Sequence, residues 1–374
     1  MESLPLVEKR QFSLKQFQTQ GGAVLDVTVG WEAYGELNTD ASNVILITHY
    51  FSGNSHAAGR YRTSDAEPGY WDAIIGPGKA IDTNRFYVVS VDSLANLQPL
   101  SPDVITTGPA SINSATGHPY GLDFPVVAIR DFVNVQKALL ESLGITALYA
   151  VVGPSMGSFQ ALDWAVAYPD WVPRMASVIG AGQLDAWTVL GLERWSDAVK
   201  SDPAWQGGDY YASGQPAKGI NQALGYLFLD ATAPASINSL YAPPIDELPR
   251  TDIRARHQCV TQHLAAMAAK AEFVDANSIL YLVRASQNFI AGFSGNLKDN
   301  LERVQARCLF MPASHDRLLM PYLARHAHEL LQSLGKDSHY QEIDGIWGHL
   351  DGIASITSQA ETLRRFLEGG IMGK

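Results

Sequence analysis

The chain has 374 residues, 46% of them hydrophobic, enough to bury a large core as one big domain or as a domain carrying an insertion. Its formal net charge of −11, with no Lys/Arg cluster anywhere, excludes nucleic acid as a partner, because neutralising phosphates needs a basic face. Only two cysteines, Cys259 and Cys308, are present, both in apolar surroundings, which suits reduced, buried thiols better than a disulfide framework.

The N-terminal stretch M-E-S-L-P-L-V-E-K-R lacks a basic segment followed by an apolar one, and no apolar run approaches the roughly 18 residues of a membrane span. A cytoplasmic protein without membrane contact is expected. Residues 12–34 alternate as two strands around Gly21-Gly22, predicting an antiparallel hairpin. Residues 43–49, N-V-I-L-I-T-H, form a continuous apolar run of the kind buried on both faces of a parallel sheet, and they empty into the loop Tyr50-Phe51-Ser52-Gly53. A similar run follows at 86–91. The Gly76-Pro77-Gly78-Lys79 stretch before it has the wrong spacing for a phosphate loop and no Ser/Thr after the lysine. Residues 92–124 are polar, rich in Pro and Gly and aperiodic, predicting an ordered functional loop, and a helix is expected over 125–143, stopped by Gly144.

Residues 147–152 then form a short β-branched run that breaks at Gly153, turns through Pro154-Ser155-Met156-Gly157 and resumes as a helix over 159–168. Strand, sharp turn and helix with glycines flanking Ser155 fit a nucleophile elbow, in which a strained turn pushes a serine hydroxyl clear of the sheet. The competing reading is a serine that merely caps the helix. After a strand at 175–180 the character changes: from about 183 to 295 the pattern is helical, with helices expected over 187–200, 220–229 and the alanine-rich span 253–291. Strands return at 307–311 and 340–343, with helices around 322–334 and 353–367. The organisation expected is an α/β core of residues 1–182 and 296–374, with a mostly parallel sheet flanked by helices, interrupted by a helical lid of residues 183–295.

A serine hydroxyl is a poor nucleophile at neutral pH and needs a positioned base, which needs an orienting acid. In the α/β-hydrolase architecture these follow in the order serine, acid, histidine on loops at strand ends. Here Asp316 follows the strand C-L-F-M-P, and His349 follows Y-Q-E-I-D in G-I-W-G-H. Asp316 could instead cap the helix after it. His315, His326 and His328 read as loop or surface residues, and His257 and His263 lack a zinc-ligand spacing. The oxyanion of an acyl-transfer intermediate requires two backbone donors, assigned to the amides of Met156 and Phe51. His49 is read as structural. Tyr50, on the same loop, is expected to line the substrate pocket.

The sequence resembles the homoserine O-acetyltransferase family over nearly its whole length. The stretches that carry the likeness are T-H-Y-F-S-G-N-S-H-A-A-G, Y-W-D-A-I-I-G-P-G-K-A-I-D, T-G-P-A-S-I-N-S-A-T-G-H-P-Y-G-L-D-F-P and D-P-A-W-Q-G-G-D-Y-Y. The resemblance implies an α/β-hydrolase fold with a helical lid, ping-pong chemistry through an acyl-serine, a triad of Ser155, Asp316 and His349, and a homodimer made through the lid. It also exposes departures. The family's arginine and tyrosine that grip the amino-acid part of homoserine align with Leu224 and Ala231. Its aspartate directly after the catalytic histidine is Leu350 here, with Asp351 one position later. Residues 93–104 lack the family's glycine-rich sequence, and Ser158 stands where a second glycine is usual. Losing such charge-assisted contacts removes roughly 1.5–3 kcal/mol each.

Three readings follow. The first is a serine carboxylesterase acting on a small-molecule, short-chain ester, probed by Leu224 and Leu350 in the pocket and needing no cofactor or metal. The second is an acetyl-CoA-dependent acyltransferase acting on homoserine or another hydroxylated acceptor. The third is a catalytically silent scaffold on the same fold.

Overall fold

Residues 44–48 show how the core is laid out. In this strand Val44 and Leu46 join one buried cluster and Ile45 and Ile47 another, so a β-strand's alternation feeds two apolar layers, one on each face of a sheet. The computed structural model describes residues 4–241 and 250–370. Residues 242–249 of the expected helical segment, and the outermost ends of the expected core segments, lie outside the described residues.

In chain order the strands are β1 (Arg10–Gln18), β2 (Val24–Tyr34), β3 (Val44–Thr48), β4 (Ile75–Gly76), β5 (Ile81–Asp82), β6 (Tyr87–Val91), β7 (Ala150–Pro154), β8 (Arg174–Val178), β9 (Arg307–Met311) and β10 (Ser338–Tyr340). Eight of them form one sheet in the order β1-β2-β6-β3-β7-β8-β9-β10, and β4 and β5 pair separately. The predicted hairpin is β1 and β2, in antiparallel register from Arg10↔Trp31 to Gln18↔Val24, with an irregularity between Leu14 and Phe17. β2 joins β6 antiparallel, and every pair from β6 to β10 is parallel.

The helices are α1 (Ile129–Ser142), α2 (Met156–Ala167), α3 (Ala186–Lys200), α4 (Ala217–Ala231), α5 (Pro234–Leu240), α6 (Gln258–Lys270), α7 (Ala276–Gln287), α8 (Leu297–Leu301), α9 (Pro321–Ser333), α10 (Asp351–Ala354) and α11 (Ala360–Leu367). Several bounds differ from the pattern-based expectation, each for a local reason. α1 starts at Ile129 rather than 125, because the Asp131 carboxylate accepts from the Ala128 amide (2.7 Å) and closes the first turn there. The alanine-rich span 253–291 is two helices, since the Asp275 side chain caps a new one by accepting from Ser278 N (2.8 Å). The last helix is broken at Ser355 into α10, a 3₁₀ turn and α11.

Between β8 and β9 the chain runs through α3 to α8, and α3 packs against both α4 and α7. Among the described residues no helix is long and apolar enough to cross a membrane. Cys308 is buried, its thiol pushed up in pKa chiefly by burial, whereas Cys259 is partly exposed rather than buried as expected. His328, expected at the surface, is partly buried with Nδ1 2.8 Å from Ser338 Oγ.

Candidate active site

β7 delivers the chain to Ser155 at φ 56°, ψ −123°, a conformation that residues other than glycine rarely adopt. The turn can close this tightly because Gly153 and Gly157 carry no side chain: a methyl group at either would fall on Thr48, at its hydroxyl or its carbonyl oxygen. Thr48 Oγ1 instead donates to the Gly157 carbonyl (2.7 Å) and ties the end of β3 to the start of α2. The competing reading of Ser155 as a helix cap fails, since its side chain makes no capping hydrogen bond. The Ser155 hydroxyl donates to His349 Nε2 at 2.7 Å.

His349 Nδ1 donates to Asp316 Oδ2 at 2.6 Å, and both side chains are nearly or wholly buried. The other carboxylate oxygen, Oδ1, accepts from the amides of Leu318 and Leu319, each at 2.9 Å. Asp316 is therefore not the cap of α9, whose N-cap is Met320: one of its oxygens orders the turn before that helix and the other orients the imidazole. The loop bearing His349 is fastened to the end of α4, with Ala233 N donating to Trp347 O (3.2 Å) and Leu350 N to Ala231 O (3.3 Å).

Phe51 and Met156, whose amides are the nominated oxyanion donors, line one recess together with Ser155. Met156 is the first residue of α2, where an amide has no partner within the helix. Among the described residues neither the Met156 nor the Phe51 N–H donates to a protein acceptor. His49 sets the orientation of the second. Its Nδ1 donates to the Tyr50 carbonyl (2.8 Å), and its Nε2 accepts from the Ser93 amide (2.9 Å), which fixes the neutral tautomer. Burial lowers the His49 pKa, outweighing the opposing pull of the Tyr50 carbonyl and Asp92.

Above Ser155 and His349 lies a cavity of about 220 Å³ that also includes Tyr50, Phe51, Ile179, Trp195, Leu227 and Leu350. Among the described residues no carboxylate, guanidinium or ammonium group lines it. Tyr50 and Leu350 stand where expected. Burial pushes the Tyr50 phenol up to about 12, so it remains a neutral hydroxyl.

Leu224 does not line this cavity. It lies one turn before Leu227 on α4, buried in the core. Leu227, Trp195 and Leu318 are among the lining residues that pattern reading missed; the signal for Leu227 was its place three positions after Leu224, on the same helix face. Asp351 cannot stand in for a carboxylate at position 350. It is buried, accepts from Trp347 N (3.1 Å) and from Ser355 Oγ, and lies outside the cavity. Ser158, at the family's usual glycine position, is accommodated because Gly180 leaves room for it; its hydroxyl donates to Ser155 O (2.6 Å).

The alpha/beta hydrolase fold family matches residues 100–353. The homoserine O-acetyltransferase of Symbiobacterium thermophilum is 37% identical over 93% of this chain and 90% of its own length. That of Methanococcoides burtonii is 37% identical over 89% of this chain and 68% of its own. Among solved structures, esterase E22 superposes with a TM-score of 0.95 at 54% identity, covering 97% of this chain and all (100%) of that one. The homoserine O-acetyltransferase from Bacillus anthracis superposes with a TM-score of 0.96 at 37% identity, covering 99% of this chain and 100% of that one.

Proposed function

The chain belongs to the homoserine O-acetyltransferase family of α/β-hydrolases, and from that premise we propose that it is a serine carboxylesterase that hydrolyses short-chain esters, acetyl esters foremost. One observation carries the choice of water over an amino-acid acceptor: among the described residues, none that lines the cavity above Ser155 carries a fixed charge. Homoserine would bring an ammonium and a carboxylate into it with nothing to pair them, and an unpaired buried charge costs several kcal/mol. Water needs no such partner. The 54% identity to a protein named an esterase supports the same reading.

In this mechanism the Ser155 hydroxyl attacks the ester carbonyl while His349 Nε2 takes its proton, and Asp316 stabilises the imidazolium through Nδ1–H. The Met156 and Phe51 amides receive the oxyanion. Collapse expels the alkoxide, which takes the proton from Nε2 and leaves as the alcohol. A water deprotonated by the same nitrogen then attacks the acyl-serine, and the acid departs as Ser155 regains its proton.

The second reading, acyl transfer from acetyl-CoA to homoserine, is favoured by the names of the 37%-identical relatives. Purified protein is expected to hydrolyse ethyl acetate with no added acceptor, and Ser155→Ala to reduce kcat by roughly 10⁴-fold or more, as loss of a triad nucleophile does. Acetylhomoserine formed from homoserine and acetyl-CoA, without ester hydrolysis, would decide for the second reading.

A further inference from the structure

On the other side of the turn that carries Phe51 lies a second cavity, of about 370 Å³, and its walls are polar where those of the first are apolar. Tyr50 and Ser52, the neighbours of Phe51 on either side, line both cavities. An ester carbonyl held by the Phe51 amide therefore sits at a boundary between two chemically opposite spaces. An ester is itself divided at that carbonyl, into an acyl half and an alcohol half.

The polar cavity is built on a buried frame. Its His56 ring stacks on Tyr61, with centroids 4.1 Å apart and planes 20° from parallel. Both are anchored to Glu32, which is wholly buried and accepts from His56 Nδ1 (3.0 Å), Tyr34 OH (2.9 Å), Ser55 Oγ (3.1 Å) and the Tyr61 hydroxyl, with Lys9 Nζ 3.2 Å away. So many donors hold a carboxylate ionised, and they fix the imidazole with Nδ1–H toward Glu32. His56 Nε2 is left with no protein partner among the described residues. Asn54, Gln98 and Ser101 add amide and hydroxyl groups to the same wall.

Its fixed charge excludes an anion. The lining carries Asp65, Glu67 and Asp103 against one guanidinium, Arg62, which is already paired with Asp103 (2.8 Å) and Asp65 (3.4 Å). Among the described lining residues a phosphate or carboxylate would find no unpaired guanidinium or ammonium group, whereas hydroxyl groups would find both donors and acceptors.

Resting on the esterase reading, we propose that the polar cavity receives the alcohol half of the ester and that this alcohol is neutral and hydroxyl-rich, of the polyol or carbohydrate kind. The acyl half occupies the apolar cavity. The alkoxy oxygen lies within reach of His349, and the rest of the alcohol passes over Tyr50 and Ser52 to hydrogen-bond with His56 Nε2 and the Gln98 amide.

The test compares kcat/KM for glyceryl monoacetate and for butyl acetate, esters of similar length whose alcohols differ in hydroxyl content. Each satisfied hydrogen bond is worth roughly tenfold, so the wild type is expected to prefer the glyceryl ester by about tenfold or more. His56→Asn and Gln98→Ala are each expected to cut that ratio several-fold, through the KM of the glyceryl ester rather than kcat. Because both substrates are measured on one preparation, the ratio does not depend on how much of a variant folds. A ratio near one in the wild type, a ratio unchanged by both variants, or preference for an ester of an acidic alcohol overturns the proposal while leaving esterase activity intact. If neither ester is hydrolysed, the esterase reading fails and takes this proposal with it.

Discussion

His49 acts on the candidate oxyanion site through a single planar group. The Tyr50 carbonyl and the Phe51 N–H belong to one peptide unit and point in opposite directions, so the imidazole that holds the carbonyl also aims the N–H. On this account His49 is a positioning residue rather than a catalytic one. His49→Ala is expected to lower kcat for ethyl acetate by roughly 10- to 100-fold, somewhat less than outright loss of an oxyanion donor, with KM nearly unchanged. His49→Asn, whose amide can still donate to the Tyr50 carbonyl, is expected to recover part of the loss. An equal rise in KM would assign His49 to packing alone. The depressed pKa adds a pH signature. A histidine whose folded pKa lies below 6.5 contributes stability that is present above pH 6.5 and lost as pH falls through the folded value. Thermal unfolding followed as a function of pH is expected to show this acid limb in the wild type and a weaker one in His49→Asn.

At the scale of elements, the elbow depends on a close approach of the β7–α2 turn to the chain leaving β8. A side chain at Gly180 would collide with the Ser158 hydroxyl and with Ser177, so this family departure at 158 is matched by a glycine at 180. Gly180→Ala is expected to destabilise the fold by about 1–3 kcal/mol, the usual cost of overpacking. Combined with Ser158→Gly it is expected to cost less than the sum of the two by more than about 0.5 kcal/mol, a coupling that urea titration of the four proteins can read. Strict additivity would show that the two positions do not share this space.

The same scale explains what could be read from the sequence and what could not. Ser155 and Asp316 were legible because each follows an apolar run that reads as a buried strand; His349 follows the short, partly buried β10 and was legible from its place after the last strand, in the order serine, acid, histidine. Leu224 was misplaced because it came from aligning a helix with the family pattern, and such an alignment has no fixed anchor along a helix; Leu227, one turn on, lines the cavity. The break between α6 and α7 was hidden by alanine, whose helix propensity masks a cap, although Asp275 is the kind of residue that marks one.

At the scale of the molecule, Glu32 joins regions far apart in sequence. It lies on β2, takes Lys9 from the segment before β1, and takes Ser55, His56 and Tyr61 from the loop beyond the oxyanion turn. Burial alone would raise its pKa, but the hydrogen bond from His56 and the attraction of Lys9 and His56 together outweigh it and leave the value below 4.5. The stability it contributes is thus present above pH 4.5 and is lost as pH falls through the lower folded value. Glu32→Gln is expected to cost about 3 kcal/mol at neutral pH, the scale of breaking a buried ion pair, and to flatten the fall in stability below pH 4.5. An undiminished acid slope in the variant would assign that slope to other carboxylates.

The central claim is that the uncharged cavity over Ser155 and His349 sends the acyl group to water. It is tested most directly by supplying ethyl acetate with increasing homoserine and measuring acetate and O-acetylhomoserine released from the same acyl-enzyme. The account predicts that acetate accounts for essentially all turnover and that its rate does not fall as homoserine rises. Acetylhomoserine growing in proportion to homoserine, at the expense of acetate, would contradict it.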